Sequence, residues 1–197
     1  MRRPSSNQRR LVIFILALIT FSMAYYAGIS QQPQLQSSPE IQGISISPPT
    51  PAPPFELTDQ QGSPYGDKQL ANHWSLLMLD PSEKQKPSPA LIQLLQIHNR
   101  MANHPELQQS IHYLYLPRHQ TATLDDSLSQ IDINIHGLQG EPAKIDETFD
   151  HFGISLENTE QTLYLIDPQK HLRALFTQAE DAATIAEDLT KLITSTQ

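Results

Sequence analysis

The sequence contains no cysteine in its 197 residues. A chain without thiols forms no disulfide, binds no iron–sulfur cluster or thiolate zinc site, and carries out no thiol redox chemistry. Positive charge is also scarce, with 13 lysines and arginines against 21 aspartates and glutamates. Nucleic-acid binding needs clustered cations that neutralise phosphates, so we predict no nucleic-acid partner.

Sequence motifs of several enzyme classes are missing as well. The sequence has no phosphate-binding glycine loop, no dinucleotide fingerprint and no GxSxG nucleophile turn. We therefore predict that the chain is not an enzyme and has no catalytic residues, no cofactor and no small-molecule substrate. Proline and histidine are well represented, with 16 and 8 residues. The histidines leave a nitrogen-ligated metal site open on composition alone.

An uncharged, strongly apolar segment lies near the amino terminus, over residues 11–29. As a helix it would be roughly 28 Å long, which matches the hydrocarbon thickness of a bilayer. The basic residues beside it lie on one side only, at Arg2, Arg3, Arg9 and Arg10. The positive-inside rule predicts a single-pass anchor in a bacterial-type inner membrane, with residues 1–10 in the cytoplasm and the following domain in the periplasm. The alternative is a signal peptide cleaved after Ala24.

Residues 30–54 are rich in glutamine, serine and proline and almost free of charge. Such a composition buries no core and favours extended polyproline II conformers. We predict that this segment is a linker, which tethers a folded domain over residues 55–197 to the membrane.

The hydrophobic pattern of residues 55–197 predicts short strands that alternate with longer helices. A hairpin is expected at residues 55–65, with Gly62 in its turn. Further strands are predicted at 74–79, 111–116, 162–166 and 172–176, and helices at 88–102, 123–131, 141–152 and 182–193. A strand–helix–strand unit followed by a late antiparallel hairpin and a final helix predicts a thioredoxin-like α/β fold, a central mixed sheet flanked by helices.

Several short motifs occur in an order that resembles one family. They are FELTDQQG at 55–62, WSLL at 74–77, GLQG at 137–140, FG at 152–153 and YLIDP at 164–168. Together with the order of anchor, linker and domain, they resemble the Sco/SenC proteins. That family consists of membrane-anchored, thioredoxin-like copper chaperones of cytochrome c oxidase assembly.

The resemblance also implies where the family's copper ligands would lie. The two cysteines of its CxxxC motif fall on Lys84 and Ser88, and its histidine falls on Thr159. Pro89, which follows the second cysteine, is kept. A serine hydroxyl is a poor ligand, and a lysine ammonium repels a cation. The resemblance therefore implies the fold and the pathway of the family without its metal site.

Other residues offer alternatives to the family site. One candidate copper site combines imidazole and thioether groups at helical spacing, in His98, Met101 and His104. A second pairs His112 with His119 at the end of the second central strand. Core packing competes with the first candidate, and His136 and His151 are interpreted as surface residues. The remaining acidic pairs are read as ordinary helix-end residues: Asp125 and Asp126, Asp146 and Glu147, Glu180 and Asp181.

These observations leave two main hypotheses for function. The first is a membrane-tethered Sco-like accessory factor that acts by protein contact, with oxidase subunits or other assembly factors as partners. The alternative is periplasmic copper binding through histidine and methionine ligands that the family does not use. A generic thioredoxin-like interaction module is a weaker third hypothesis.

Overall fold

The structure is a computed structural model that describes residues 20, 23, 39–82, 88–119, 135–155, 157 and 160–196. By its internal contacts the chain divides into two units, residues 1–38 and residues 39–197. The strands and helices whose bounds follow all belong to the second unit.

Strands and short helices alternate along this unit. The strands are β1 (Ile44–Pro51), β2 (Glu56–Thr58), β3 (Pro64–Gly66), β4 (Trp74–Asp80), β5 (Ile111–Pro117), β6 (Ile135–Gly137), β7 (Thr162–Ile166) and β8 (His171–Phe176). The helices are α1 (Pro89–Arg100), α2 (Pro105–Ser110), α3 (Pro142–His151) and α4 (Ala182–Thr194). A 3₁₀ turn, Met101–Asn103, joins α1 to α2.

Six strands form one mixed sheet in the order β1-β8-β7-β4-β5-β6, and β2 pairs with β3 in a separate hairpin. β5 runs parallel to β4 and to β6, and the other neighbours in the sheet are antiparallel. Because parallel strands need a crossover, α1 connects the end of β4 to β5. The predicted thioredoxin-like α/β arrangement, a mixed central sheet with helices packed on it, is confirmed.

The central strand β4 is buried on both faces along its whole length. Its alternate residues Leu76 and Met78 pack in one apolar cluster with α1 and α4. Leu77 and Leu79 point to the opposite face and pack with the hairpin and α3. Side chains alternate between faces along a strand, so a continuous apolar run is what a doubly covered strand requires.

The helices begin and end at residues that suit their positions. The Ser88 side chain caps α1, and Pro89 occupies its first turn, where a missing N–H costs little. Gly153 follows α3 with a φ of +78°, the left-handed conformation that ends many helices. The Asp181 carboxylate caps α4 by accepting a hydrogen bond from the Thr184 N–H at 2.8 Å. Hydrogen bonds from Thr184 lower the pKa of this carboxyl group.

The predicted linker over residues 30–54 is wrong in its second half. Residues 44–51 form β1, which pairs with β8 and places Ile44 opposite Leu175. Three prolines are tolerated there because β1 is an edge strand with an irregular register, and an edge strand needs fewer N–H donors. Most of its side chains are exposed, so it lacks the alternation that marks a strand in sequence. The folded domain therefore begins before residue 55.

Some predictions fall where the structure gives no description. The predicted anchor over residues 11–29, apart from Thr20 and Met23, and the predicted helix over residues 123–131 lie outside the described residues. Within the described ranges, no helix has both the length and the apolar character needed to cross a membrane. Two short elements were not predicted, α2 and β6.

Candidate functional site

The candidate site lies where β4 and β5 end side by side. These parallel strands end at Asp80 and Pro117, which are register partners, and α1 begins beside them at Pro89. The carboxyl ends of parallel strands are where open α/β sheets place their binding sites. The site is the position that the family resemblance marks out, and residues 83–87 of its loop lie outside the described ranges.

Asp80 is the centre of the site, with a carboxylate that is almost fully buried. Its Oδ1 accepts hydrogen bonds from the Ser82 N–H at 3.0 Å and from the Ser82 hydroxyl at 2.5 Å. Its Oδ2 accepts the Tyr115 hydroxyl at 2.7 Å and the Ser88 hydroxyl. A buried charge is tolerated when several donors satisfy it, so these hydrogen bonds explain why an aspartate can end the central strand.

Ser88 connects this carboxylate to the start of α1. Its Oγ donates to Asp80 and accepts a hydrogen bond from the Ala90 N–H at 3.2 Å. The hydroxyl is therefore committed to helix capping and to carboxylate binding at the same time. Copper prefers thiolate, thioether and imidazole donors to a neutral hydroxyl of this kind.

Tyr115 supplies the most buried donor to Asp80. Burial, together with the neighbouring Asp80 carboxylate, raises the pKa of this phenol well above its usual range. The phenol therefore remains protonated at physiological pH and serves only as a hydrogen-bond donor to Asp80.

Arg118 holds the other side of the site in place. Its side chain is buried, and its two terminal nitrogens donate to the backbone carbonyls of Ser155 at 3.1 Å and Ile154 at 3.2 Å. The guanidinium also lies 4.2 Å from the centre of the Phe149 ring, within the range of a cation–π contact. Its Nε is 3.4 Å from Asp146 Oδ1, which is an ion pair without hydrogen-bond geometry. Arg118 thereby fixes the segment that leads towards residue 159.

The chemistry available to these groups is limited. Ser82, Ser88 and Tyr115 all donate to the Asp80 carboxylate, so the three hydroxyls and the lone pairs of Asp80 are engaged with one another. Across the part of the chain that the structure describes, no three histidine, aspartate or glutamate side chains form a group that could hold a metal ion. The hydrogen bonds to Asp80 hold the end of β4 next to the start of α1.

The residues that sequence analysis marked at the family site are only partly described. Ser88 lies in the site as predicted, whereas Lys84 and Thr159 lie outside the described residues. Sequence analysis missed Tyr115 and Arg118 as parts of this site. Tyr115 could have been found from its alternation with Tyr113, which places both residues on one face of a buried strand. Arg118 could have been found as a cation directly after that strand.

His98, Met101 and His104 do not come together around one point. Met101 is buried and its sulfur faces the Thr190 hydroxyl at 3.9 Å. The His98 ring packs edge-on against Tyr113 with centroids 5.0 Å apart, and burial lowers its pKa. His104 is exposed beyond the end of the helix. The core-packing interpretation fits this geometry better than a metal site.

His112 and His119, the second alternative metal site, do not come together. His112 is the second residue of β5, and His119 follows the last residue of that strand by two positions. At about 3.3 Å per residue, they lie at opposite ends of the strand, roughly 20 Å apart. They cannot share a ligand.

His136 was interpreted as a surface residue, but its ring contacts His112 and Tyr65. The His73 ring, which was not singled out from the sequence, stacks on the His112 ring. His151 is exposed on α3, as predicted, and its Nε2 lies 3.9 Å from a Glu147 oxygen. The contact between His112 and His136 depends on β6, a strand that was not predicted.

Glu180 and Asp181 are helix-end residues as predicted: Glu180 accepts the Thr177 N–H at 2.7 Å, and Asp181 caps α4. Asp146 and Glu147 lie in the middle of α3 and not in its first turn, and Asp146 pairs with Arg118. Asp125 and Asp126 lie outside the described residues.

Comparison with known proteins decides the family. The sequence profile described as SCO1/SenC matches residues 45–194, well over half of the chain. The chain belongs to the SCO1/SenC family. The profile begins inside β1, which agrees with the earlier start of the domain. No curated protein sequence matches this SCO1/SenC chain.

Solved structures with the same fold include relatives of the family. Yeast Sco1 with copper bound is 19% identical, with a TM-score of 0.63, covering 75% of this chain and 94% of that one. BsSco, described as a member of the Sco family of cytochrome c oxidase assembly proteins, is 12% identical with a TM-score of 0.59, covering 77% and 98%.

A more distant match supports the fold class. The thioredoxin domain of a thiol-disulfide oxidoreductase from Bacteroides vulgatus is 9% identical with a TM-score of 0.55, covering 75% of this chain and 98% of that one. At these identities the likeness concerns the fold, and it supports the thioredoxin-like description of this SCO1/SenC chain.

Proposed function

We propose that this chain is a membrane-anchored accessory factor in cytochrome c oxidase or copper-site assembly, and that it acts by binding another protein. It carries no copper at the family site. The observation that carries the proposal is Ser88, whose hydroxyl is engaged by Asp80 and by the first turn of α1 where the resemblance implies a cysteine.

The chemical support comes from the ligands that copper prefers. Cu(I) selects thiolate and thioether donors, and the sequence contains no cysteine at any position. Lys84 and Lys86 in the same loop add positive charge beside the place where a cation would bind. Thiol–disulfide exchange also needs a thiolate, so this chain has neither the copper chemistry nor the redox chemistry of a CxxxC site.

The support for protein contact is the order that the site retains. Ser88 and Tyr115 both donate to the buried carboxylate of Asp80. These hydrogen bonds hold the end of β4 next to the start of α1, and so position both ends of the connecting loop. BsSco is described as belonging to a family of oxidase assembly proteins. A loop whose two ends are held on that fold, with its ligand positions replaced, is suited to recognising the same assembly partners.

The proposal includes the membrane topology expected from the sequence. Residues 11–29 anchor the chain in a bacterial-type inner membrane, residues 1–10 lie in the cytoplasm, and the domain lies in the periplasm. A periplasm-dependent reporter fused after residue 197 should be active, and a cytoplasm-dependent reporter at the same position should be inactive. The reverse pattern would overturn this topology.

The partner claim is tested by recovery of bound proteins from detergent extracts of native membranes. The tagged full-length chain should co-purify with oxidase subunits or another assembly factor. Reversing the loop charge with Lys84→Glu and Lys86→Glu should reduce that recovery by about tenfold, as a loss of about 1.4 kcal/mol in binding would. The matched control is Lys68→Glu, which changes an exposed lysine outside the site. Recovery of no such partner, or equal recovery with both variants, would contradict the proposal.

A further inference from the structure

Three imidazole rings lie together at the amino ends of β4 and β5, at the opposite end of the sheet from Asp80. The His73 and His112 rings are stacked, with centroids 4.1 Å apart and planes 17° apart. The His136 ring lies 5.8 Å from that of His112, at 44°. We refer to His73, His112 and His136 as the histidine cluster.

The cluster lies against the β2–β3 hairpin. The Tyr65 ring of β3 is 5.4 Å from the His136 ring. In the hairpin turn, the Gln60 side chain accepts the Gly137 N–H at 2.9 Å and donates to the Ile135 carbonyl at 3.3 Å. Gln60 thus joins the hairpin to β6 on both sides of His136.

Several polar atoms in and beside the cluster are buried and make no hydrogen bond to the described residues. Among the described residues, the Nδ1 atoms of His112 and His136 are buried and have no hydrogen-bond partner. The Tyr65 hydroxyl is in the same condition, and so is the hydroxyl of Ser75, the register partner of His112. His112 and His136 are half-buried and His73 is exposed, so a proton added to His112 or His136 places positive charge on a half-buried ring whose Nδ1 has no acceptor among these residues.

The charged and titratable groups that face the cluster are few in the described part of the chain. Asp59, in the hairpin turn, is the carboxylate that acts on His136 and on Tyr65. Its Oδ1 already accepts the Gln61 N–H at 3.0 Å and the Ser63 N–H at 2.8 Å. Burial, with a smaller effect of Asp59, raises the pKa of Tyr65 to about 12, so this phenol stays neutral.

We propose that the histidine cluster is an acid-sensitive latch that holds the β2–β3 hairpin against β6. Protonation of one ring places a cation against the other two rings and under the hairpin. The hairpin then separates locally from the sheet, and the buried Nδ1 atoms of His112 and His136 gain contact with water. Local opening of this kind costs less than global unfolding, because it breaks the backbone pair of Thr58 with Gln139 and the Gln60 hydrogen bonds but leaves the six-stranded sheet paired.

The direction of the pH dependence follows from the rings themselves. Burial lowers the pKa of His112, and the neighbouring His73 and His136 lower it further. Burial also lowers the pKa of His136, against the opposing effect of Asp59. The opened state therefore binds protons more readily than the closed state. The stabilising contribution of the cluster is complete above the ordinary histidine pKa of about 6.5 and is lost as the pH falls below it.

The test is amide hydrogen exchange of the full-length chain in detergent micelles with EDTA present. Between about pH 7.5 and about pH 5, protection factors in β2, β3 and β6 should fall about tenfold relative to those in β7, because the opened state takes up a proton that the closed state excludes. The double variant His112→Gln, His136→Gln should lose this pH-dependent difference. The control His104→Gln, at an exposed histidine outside the cluster, should keep it.

Two results would overturn the latch. One is wild-type protection in the hairpin that does not change with pH relative to β7. The other is the same fall in the double variant as in the wild type. If the double variant does not fold, NMR titration of the wild-type rings decides, because His112 and His136 must titrate below about 6.5. Titration at or above that value would contradict the proposal.

Discussion

At the scale of single residues, Ser88 and Asp80 explain the chemistry of the site. Ser88 uses its hydroxyl as a donor to the buried carboxylate and as an acceptor from the Ala90 N–H. Tyr115 and Ser82 provide the other donors to Asp80. These contacts make Ser88 a structural residue at a position where the family resemblance implies a copper ligand.

The first prediction concerns Ser88→Ala. This change removes the cap of α1 and one donor to a buried carboxylate, so it should lower the free energy of unfolding by about 1–3 kcal/mol. Urea denaturation of the full-length chain measures the loss. Ser63→Ala, at an exposed turn residue, is the control and should change stability by less than about 0.5 kcal/mol. A loss no larger than that of the control would mean that Ser88 does not anchor the site.

At the scale of elements, β1 shows how a segment without a hydrophobic pattern joins the sheet. Its approach is fixed by Asp188 on α4, a buried carboxylate that accepts the Gln42 N–H at 2.7 Å and the Gly43 N–H at 3.0 Å. Lys191 pairs with the same carboxylate at 3.3 Å. The last helix, α4, is therefore linked to the start of β1 by hydrogen bonds from backbone N–H groups to a side-chain carboxylate.

The second prediction is that Asp188→Ala releases β1. Two backbone N–H groups lose their acceptor, so the free energy of unfolding should fall by about 2–3 kcal/mol and exchange of β1 amides should accelerate. Urea denaturation and hydrogen exchange measure the two effects. Lys191→Ala removes only a half-exposed partner of Asp188 and should cost less than about 1 kcal/mol. Equal losses in the two variants would contradict the anchoring role of Asp188.

Sequence analysis succeeded where burial imposes a pattern. The apolar run of β4 and the spacing of Leu91 and Leu94 in α1 predicted their elements because both pack against the sheet. β1 was not predicted because it is exposed and rich in proline, and β6 was not predicted because it has only three residues. The contacts of the histidine cluster follow from the register of β5 and β6, which local sequence does not specify.

The candidate site was predictable only through the family resemblance. Counting from Trp74 identified Ser88 as the residue at a position where the resemblance implies a ligand. Its partners could not be found in this way, because Tyr115 approaches Asp80 through the parallel pairing of β4 with β5. Arg118 likewise acts across the fold, on carbonyls more than 30 residues away in sequence.

At the scale of the whole molecule, the chain has the SCO1/SenC fold, and the proposed function holds that it works without the metal ligands that the family resemblance implies. The sheet and its two apolar faces are those of a thioredoxin-like domain. Function belongs to the residues that a fold displays, so keeping the fold does not keep copper transfer. The central claim is that this chain works by contact and holds no copper at the family site.

The most direct measurement of that claim is a Cu(I) titration of the full-length chain against a chromogenic chelator. The wild type should leave the copper with the chelator, because it has no thiolate to offer. The variant Lys84→Cys, Ser88→Cys, Thr159→His, which restores the ligand set implied by the resemblance, should withdraw copper and serves as the positive control. Stoichiometric copper retained by the wild type, at a level comparable with this variant, would contradict the account.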